Sequence, residues 1–265
     1  MRNRKPINLI ARNGKAMFGE LEDLRLYGIS HAAKAAIIAE YGDVVWQDTK
    51  AYAKAHPAIV PFINQDPHLA ASISPNSNKE RWLVGDGVAY VDTGVIPDNT
   101  TYMYTKFKVL ELGNDYIACI SYADYSSGNR AFGIGSWDGK YLTNHGNYTF
   151  FNKTATKGEI IEYTNDAGKS ELKWEDGSES KTSSMVFTSP SSLIIGGLSR
   201  NGSKKASSSK GVGFNCYNLK HQGIEINFIP CTYNGQCGML DLVTLTFHPN
   251  ANTEGQFTIA VTDKE

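Results

Sequence analysis

Thr100–Leu112 reads TTYMYTKFKVLEL. Met103, Thr105, Phe107 and Val109 fall on one side of a period-two alternation, and Tyr102, Tyr104, Lys106 and Lys108 on the other. Side chains of a β-strand point alternately to opposite faces, so this is a strand with one face in a core and one toward water. Tyr116–Tyr122 (YIACISY) and Ala131–Trp137 (AFGIGSW) continue the series. Glu159–Gly177 reads as strand, turn, strand, turn, with Asn165–Gly168 and Asp176-Gly177 supplying residues that tolerate positive φ. Ser192–Leu198, Val212–Leu219, Ile224–Ile229, Val243–Phe247 and Gln256–Val261 follow. Ser203–Gly211 (SKKASSSKG) offers a core nothing and reads as an exposed loop. About ten short strands with regular turns and no helix between them predict a mostly β fold. The expectation is a two-sheet antiparallel jelly-roll β-sandwich over residues 81–265, with Met103, Phe107 and Val109 inside.

Residues 1–80 have a different character. Ser30 can cap a helix through HAAKAAIIAEY, with Ala33, Ile37 and Tyr41 as its apolar stripe and Gly42 as its stop. Asp43 or Asp48 can start a second short helix, which Pro57 ends because proline lacks the N–H and clashes with the preceding turn. Pro61, Pro67 and Pro75, with Ser and Asn between them, read as an irregular connector. Two short helices and a connector make a poor independent core. Residues 1–80 are therefore expected to be a small helical attachment segment, with a basic arm carrying Arg2, Arg4, Lys5 and Arg12.

Composition narrows the function classes. The 265 residues are 41% hydrophobic and 20% charged, ordinary for a globular chain of one or two domains. Lys and Arg total 26 against 27 for Asp and Glu, far from the basic balance of a protein that wraps duplex DNA. No nucleic-acid partner is expected. No apolar run approaches the ~18 residues of a membrane span, so no membrane partner is expected either. Met1–Gly14 lacks the apolar region and cleavage site of a secretory signal. The plain readings are a cytosolic protein or one with its signal trimmed off, and the sharper expectation is a protein made in a cytoplasm that reaches the outside as part of a larger particle. Among the four cysteines, Cys231 and Cys237 are close enough to bridge around Tyr233-Asn234-Gly235, and both the bridge and free thiols stay open. His221 and His248 do not complete a compact zinc motif with them. Asp115, Asp124 and Asp138 are too scattered for a calcium loop. No cofactor and no metal are expected.

Three blocks resemble a known family. Gly87–Gly94 (GVAYVDTG) resembles the entry to the first long strand of concanavalin A-like, laminin-G-like jelly rolls of gut Bacteroidota and their phages. SLIIGGL resembles their central strand before the return loop. Phe228–Asn250 resembles their closing signature through Pro230, Cys231, Gly238, Met239, Asp241, Val243, Phe247 and Asn250, with Gly255 and Phe257 near the end. The resemblance spans roughly 82–262. It implies the sandwich fold and often carbohydrate or cell-surface binding, but no single ligand, because function lives in sites grafted on the fold.

Glycosidases of this fold need two carboxylates at a set separation. Glu159 and Glu162, three apart, are expected on opposite strand faces. Glu171, Lys173 and Glu175 share a face, but the lysine between the acids marks a solvated surface. No nucleophile elbow, phosphate loop or His-Glu-x-x-His helix is present. The chain is therefore expected not to be an enzyme. For binding, Tyr122, Asp124, Asn129, Asn147 and Tyr148 surround the residues best suited to a saccharide: Tyr125, Arg130, Trp137, Tyr141, Asn144 and His145. The expected function is that of a phage virion structural or adhesion protein (head fibre, decoration or tail adhesin). It would be homo-oligomeric, hold other virion proteins through residues 1–80 and display the sandwich toward host-surface glycans. The alternative is a bacterial surface or periplasmic carbohydrate-binding protein.

Overall fold

The computed structural model describes residues 28–112, 119–122, 131–200, 203–205 and 211–264. The basic arm lies outside them. The chain divides into two compact units, Met1–Asn76 and Ser77–Glu265. The boundary anticipated after residue 80 comes earlier, because Lys79 and Glu80 already belong to the first strand.

In the first unit, α1 (His31–Ala55) is capped by Ser30, whose hydroxyl accepts the Ala33 N–H at 3.1 Å. Gly42, at φ 85°, breaks the helix into two runs. Ala33, Ile37, Val45, Trp46, Thr49 and Ala53 are buried along it. The proline-rich stretch is not the irregular connector expected from its composition. It is a series of helical turns: 3-10 turns at Pro57–Ile59 and Pro67–Leu69, α2 (Val60–Gln65) and α3 (Ala70–Ile73). Proline stands in the first turn of three of these, where its missing N–H removes no helical bond. Asp48 ties the end of the series back to α1, accepting from Ser74 Oγ at 2.6 Å and Asn76 Nδ2 at 2.9 Å. Those two bonds hold its carboxyl below the usual range.

The second unit is the expected β-sandwich. Its large sheet runs β16 (Thr246–Pro249), β15 (Gln236–Asp241), β14 (Ile224–Tyr233), β13 (Val212–His221), β3 (Tyr102–Val109), β7 (Ile160–Asp166), β8 (Lys169–Trp174), β9 (Gly177–Thr182). β1 (Lys79–Gly85) also pairs with β13 and with β17 (Phe257–Asp263). The small sheet runs β12 (Ser203–Lys205), β11 (Gly197–Arg200), β4 (Cys119–Tyr122), β5 (Ala131–Trp137), β6 (Lys140–Thr154). β2 (Val91–Asp92) and β10 (Ile194–Ile195) form a short separate pair.

β3 alternates as its sequence requires: Met103, Thr105, Phe107 and Val109 are buried, and Tyr102, Tyr104, Lys106 and Lys108 are not. Met103 and Phe107 meet Ile161, Tyr163, Leu172, Tyr217 and Phe228 from the large sheet and Phe132, Ile134, Tyr141 and Phe151 from the small one in a single core.

Four local expectations are corrected. β11 runs parallel to β4, whereas every other pairing among the described strands is antiparallel. A parallel pair needs a long crossover, and the excursion through β5 to β10 supplies it. Residues 140–154, which the series of expected strands skips, form a 15-residue strand. Tyr141–Gly146 are buried on both faces, so no alternation advertises it. Ser203–Lys205, inside the supposed exposed loop, pair with β11. The strand expected at 243–247 begins at Thr246, because the Asp241 side chain shapes the preceding turn, accepting the N–H groups of Val243 and Thr244 and the Thr244 hydroxyl.

The polar residues of the closing and opening signatures hold backbone in place. Asp241 also accepts the Asn227 N–H at 2.9 Å. Asn250 accepts the Tyr90 N–H at 3.0 Å and donates to Gly255 O. Thr93 Oγ1 donates to Leu193 O at 2.8 Å. Cys231 faces Gly238 and Cys237 faces Thr232, so the two sulfurs lie on opposite sides of the ladder and no disulfide joins them. Among the described residues, no helix is long and apolar enough to cross a membrane, and no group of three or more His, Cys, Asp or Glu could hold a metal ion.

Candidate functional site

The outer face of the large sheet can be assembled from its register. Glu225, Lys220, Tyr102 and Asp166 form one row across β14, β13, β3 and β7. Asn227, Asn218, Tyr104, Thr164 and Glu171 form the next, reaching β8. Cys216, Lys106, Glu162 and Lys173 form the third. Three ion pairs hold lysines of this face: Lys220–Glu225 at 2.9 Å, Lys106–Glu80 at 2.5 Å and Lys173–Glu171 at 3.2 Å. Burial pushes the Tyr102 and Tyr104 hydroxyls up, reinforced by Asp166 at Tyr102 and by Cys216 and Glu162 at Tyr104, so both stay neutral. Burial likewise pushes the Cys216 thiol up to about 11, which keeps it protonated.

At one end of the face a cleft of about 690 Å³ opens where β6 and β8 end and β7 begins. Its lining includes Lys106, Lys153 and Lys173, four carboxylates (Glu159, Glu162, Glu175 and Asp176) and the half-buried indole of Trp174. Gly177 lets that indole lie across the β8–β9 turn: a Cβ there would stand 2.6–2.9 Å from three indole atoms. Lys153 Nζ lies 5.5 Å from the indole centroid and 2.7 Å from Glu159 Oε2. Glu159 also accepts from the Tyr141 hydroxyl at 2.8 Å and the Thr156 N–H at 2.5 Å. It precedes β7 rather than belonging to it, so the opposite-face argument does not apply, and Glu159 and Glu162 line the same cleft. Glu175 likewise falls past the end of β8, in the turn.

At the other end, a cleft of about 340 Å³ is lined by Thr100, Tyr102, Lys220, His221, Ile224 and Glu225, together with the Gln222-Gly223 turn. His221 Nδ1 lies 2.9 Å from Thr101 Oγ1 and 3.7 Å from Asp98 Oδ1. Both partners sit on one ring nitrogen, so this is a bracket for the turn and not a proton relay. Burial works against the Asp98 carboxylate, but bonds from Thr100, with His221 and Gln222 beside it, hold its carboxyl below the usual range.

Among the residues expected to bind a saccharide, the four described ones do not form a surface cluster. Tyr125 and Arg130 lie outside the described residues. Trp137 is 50% exposed at the β5–β6 hairpin, opposite Lys140. Tyr141, Asn144 and His145 are buried within β6, where a side chain has no face to offer a sugar. His145 stands 5.0 Å from the Phe187 ring centroid, and burial lowers its pKa. The cleft residues escape a reading of the sequence because Lys173 and Glu175 have the composition of any solvated strand. The one available signal was Trp174 beside the Asp176-Gly177 turn, an aromatic at a strand end where a turn leaves room.

No family model and no curated protein matches the sequence. Among solved structures, the chain is similar to a candidate carbohydrate-binding protein from Bacteroides ovatus, at 10% identity and TM-score 0.48 over 70% of this chain and 61% of that one. It is similar to domains LG4-5 of the mouse laminin alpha1 chain, at 16% identity and TM-score 0.37 over 54% of this chain and 40% of that one. It is also similar to the CBM40 domain of a Ruminococcus gnavus sialidase bound to α2,3-sialyllactose, at 8% identity and TM-score 0.38 over 53% and 89%. The chain thus spans less than two thirds of the length of the first two. Likeness at these levels bears on neither ligand nor activity.

Proposed function

We propose that the sandwich is a non-catalytic saccharide-binding module and that the larger cleft is its binding site. The observation that carries this reading is the lining itself. Three ammonium groups, four carboxylates and an indole line a space of about 690 Å³, within the usual size of ligand sites. Balanced charge gives neither an anion nor a cation a coherent field. It favours a ligand presenting donors and acceptors together, as hydroxyl-bearing rings do, with an apolar face for the indole. A phosphate backbone would require a positive stripe, which a lining of mixed sign does not build.

The same geometry supports a binding role over hydrolysis. Glu159 is committed to three fixed donors, Lys153, Tyr141 and the Thr156 N–H, and a carboxylate so held is poorly placed to act as acid or nucleophile. In the wider reading, residues 1–80 hold the protein in a virion as a homo-oligomer and the sandwich is displayed toward host glycans. The N-terminal unit, compact in its own right, supports a separate attachment role.

The test is a glycan array followed by calorimetry on the wild type, Trp174→Ala and Glu162→Gln, with circular dichroism to confirm folding. At least one saccharide should bind, and both variants should weaken it. Turnover of a bound glycan that disappears in Glu162→Gln would overturn the non-catalytic assignment. Unchanged binding in both variants would move the site elsewhere.

A further inference from the structure

We infer that the ligand is a linear, uncharged saccharide chain that runs along β3 and occupies both clefts at once. This rests on the saccharide-binding reading and adds the ligand's shape and charge class. Tyr102 lines the smaller cleft and Lys106 the larger. Both project from the outer face of one strand, alternating with buried Met103 and Thr105. Four residues of strand separate them, about 14 Å at ~3.4 Å per residue. One sugar ring cannot fill both clefts, and a chain of several can.

The floor between the clefts suits such a chain. Tyr104 lies midway, flanked by Asn218 on β13 and Thr164 on β7, with Asn227 beyond on β14. A phenol, two amides and a hydroxyl supply donors and acceptors with no net charge. The charged groups at either end are already in ion pairs, Lys220 with Glu225 and Lys106 with Glu80. Bringing a sulfated or uronic chain across this floor would set its anions beside Glu162, Glu171 and Asp166 without a free row of cations. A neutral polyol chain meets no such penalty. Tyr102 and Tyr104 supply rings at two points along the line, and the Trp174 indole lies at the far cleft, two strands over from β3.

The experiment is calorimetric titration of the full chain with cello-, xylo-, malto- and manno-oligosaccharides, each from the monosaccharide to the hexasaccharide. In at least one series, affinity should climb about tenfold or more with length and then level off, a gain of ~1.4 kcal/mol or more. Tyr102→Ala with Lys220→Ala alters only the smaller cleft. It should remove the gain for the long members and leave the short ones unchanged. Affinity independent of length, or equal losses at every length in that double variant, would overturn the spanning inference while leaving saccharide binding intact. A glycan array that selects only anionic or terminal monosaccharide ligands would do the same. Binding of no saccharide in either experiment would overturn both readings.

Discussion

The hydroxyl of Tyr141, fully buried in the sandwich core, donates a 2.8 Å hydrogen bond to Oε1 of Glu159 in the wall of the larger cleft. The ring meets Phe107 edge-on at 6.1 Å between centroids. The position of a cleft carboxylate is thus set by a core residue. Tyr141→Phe keeps the packing and removes the bond. It should cost about 1–2 kcal/mol in urea unfolding, with an unchanged m-value, because the acceptor is charged. Saccharide affinity should fall less than in Trp174→Ala, since Lys153 and Thr156 still hold Glu159.

Asp241 is 2% exposed and accepts the N–H groups of Asn227, Val243 and Thr244. Asp241→Ala leaves those donors without their acceptor and should destabilise the fold by roughly 3 kcal/mol in chemical denaturation. Asp241→Asn retains one acceptor oxygen and should lose less. Equal stability of the Ala variant and the wild type would remove the bracketing role assigned to this part of the closing signature.

Burial lowers the pKa values of His145 and His248 in the folded state. The unfolded chain takes up protons near the ordinary histidine value, about 6.5, and the folded chain does so only at lower pH. Stability should therefore be insensitive to these groups above that value and decline as pH falls below it through the depressed folded values. A second decline belongs to Asp86. Burial opposes its charge, but the N–H groups of Val88, Gln256 and Ala89 hold its carboxyl low. That stability is lost below the ordinary Asp range, about 4. Urea midpoints across the acid range should show both steps. The first should shrink in the His145→Gln, His248→Gln double variant.

Because Cys231 and Cys237 project to opposite sides of the β14–β15 ladder, reductant should leave the melting temperature unchanged. Mass spectrometry after alkylation under non-reducing conditions should find both thiols modified once the protein is unfolded. A bridged peptide would contradict the register.

Local alternation and capping chemistry were legible without coordinates. Met103, Thr105, Phe107 and Val109 had to share a face because strand side chains repeat every two residues. Ser30 and Gly42 marked a start and a break for α1 because a side-chain acceptor and a positive φ are local properties. The mostly β fold followed from the spacing of strands and turns. What required tertiary structure was everything set by a partner distant in sequence. β6 was hidden because both faces of its Tyr141–Gly146 run are covered, which erases the alternation there and makes Tyr141, Asn144 and His145 interior residues rather than the expected ligand contacts. The parallel β4–β11 pair and the disposition of the two thiols are facts of register, which local sequence does not encode. The larger cleft joins Lys106, Lys153, Glu159, Glu162 and Trp174 from four strands and a turn. Each of these residues alone has the chemistry of an ordinary surface, and only the folding of β6 against β7 and β8 brings them to one place.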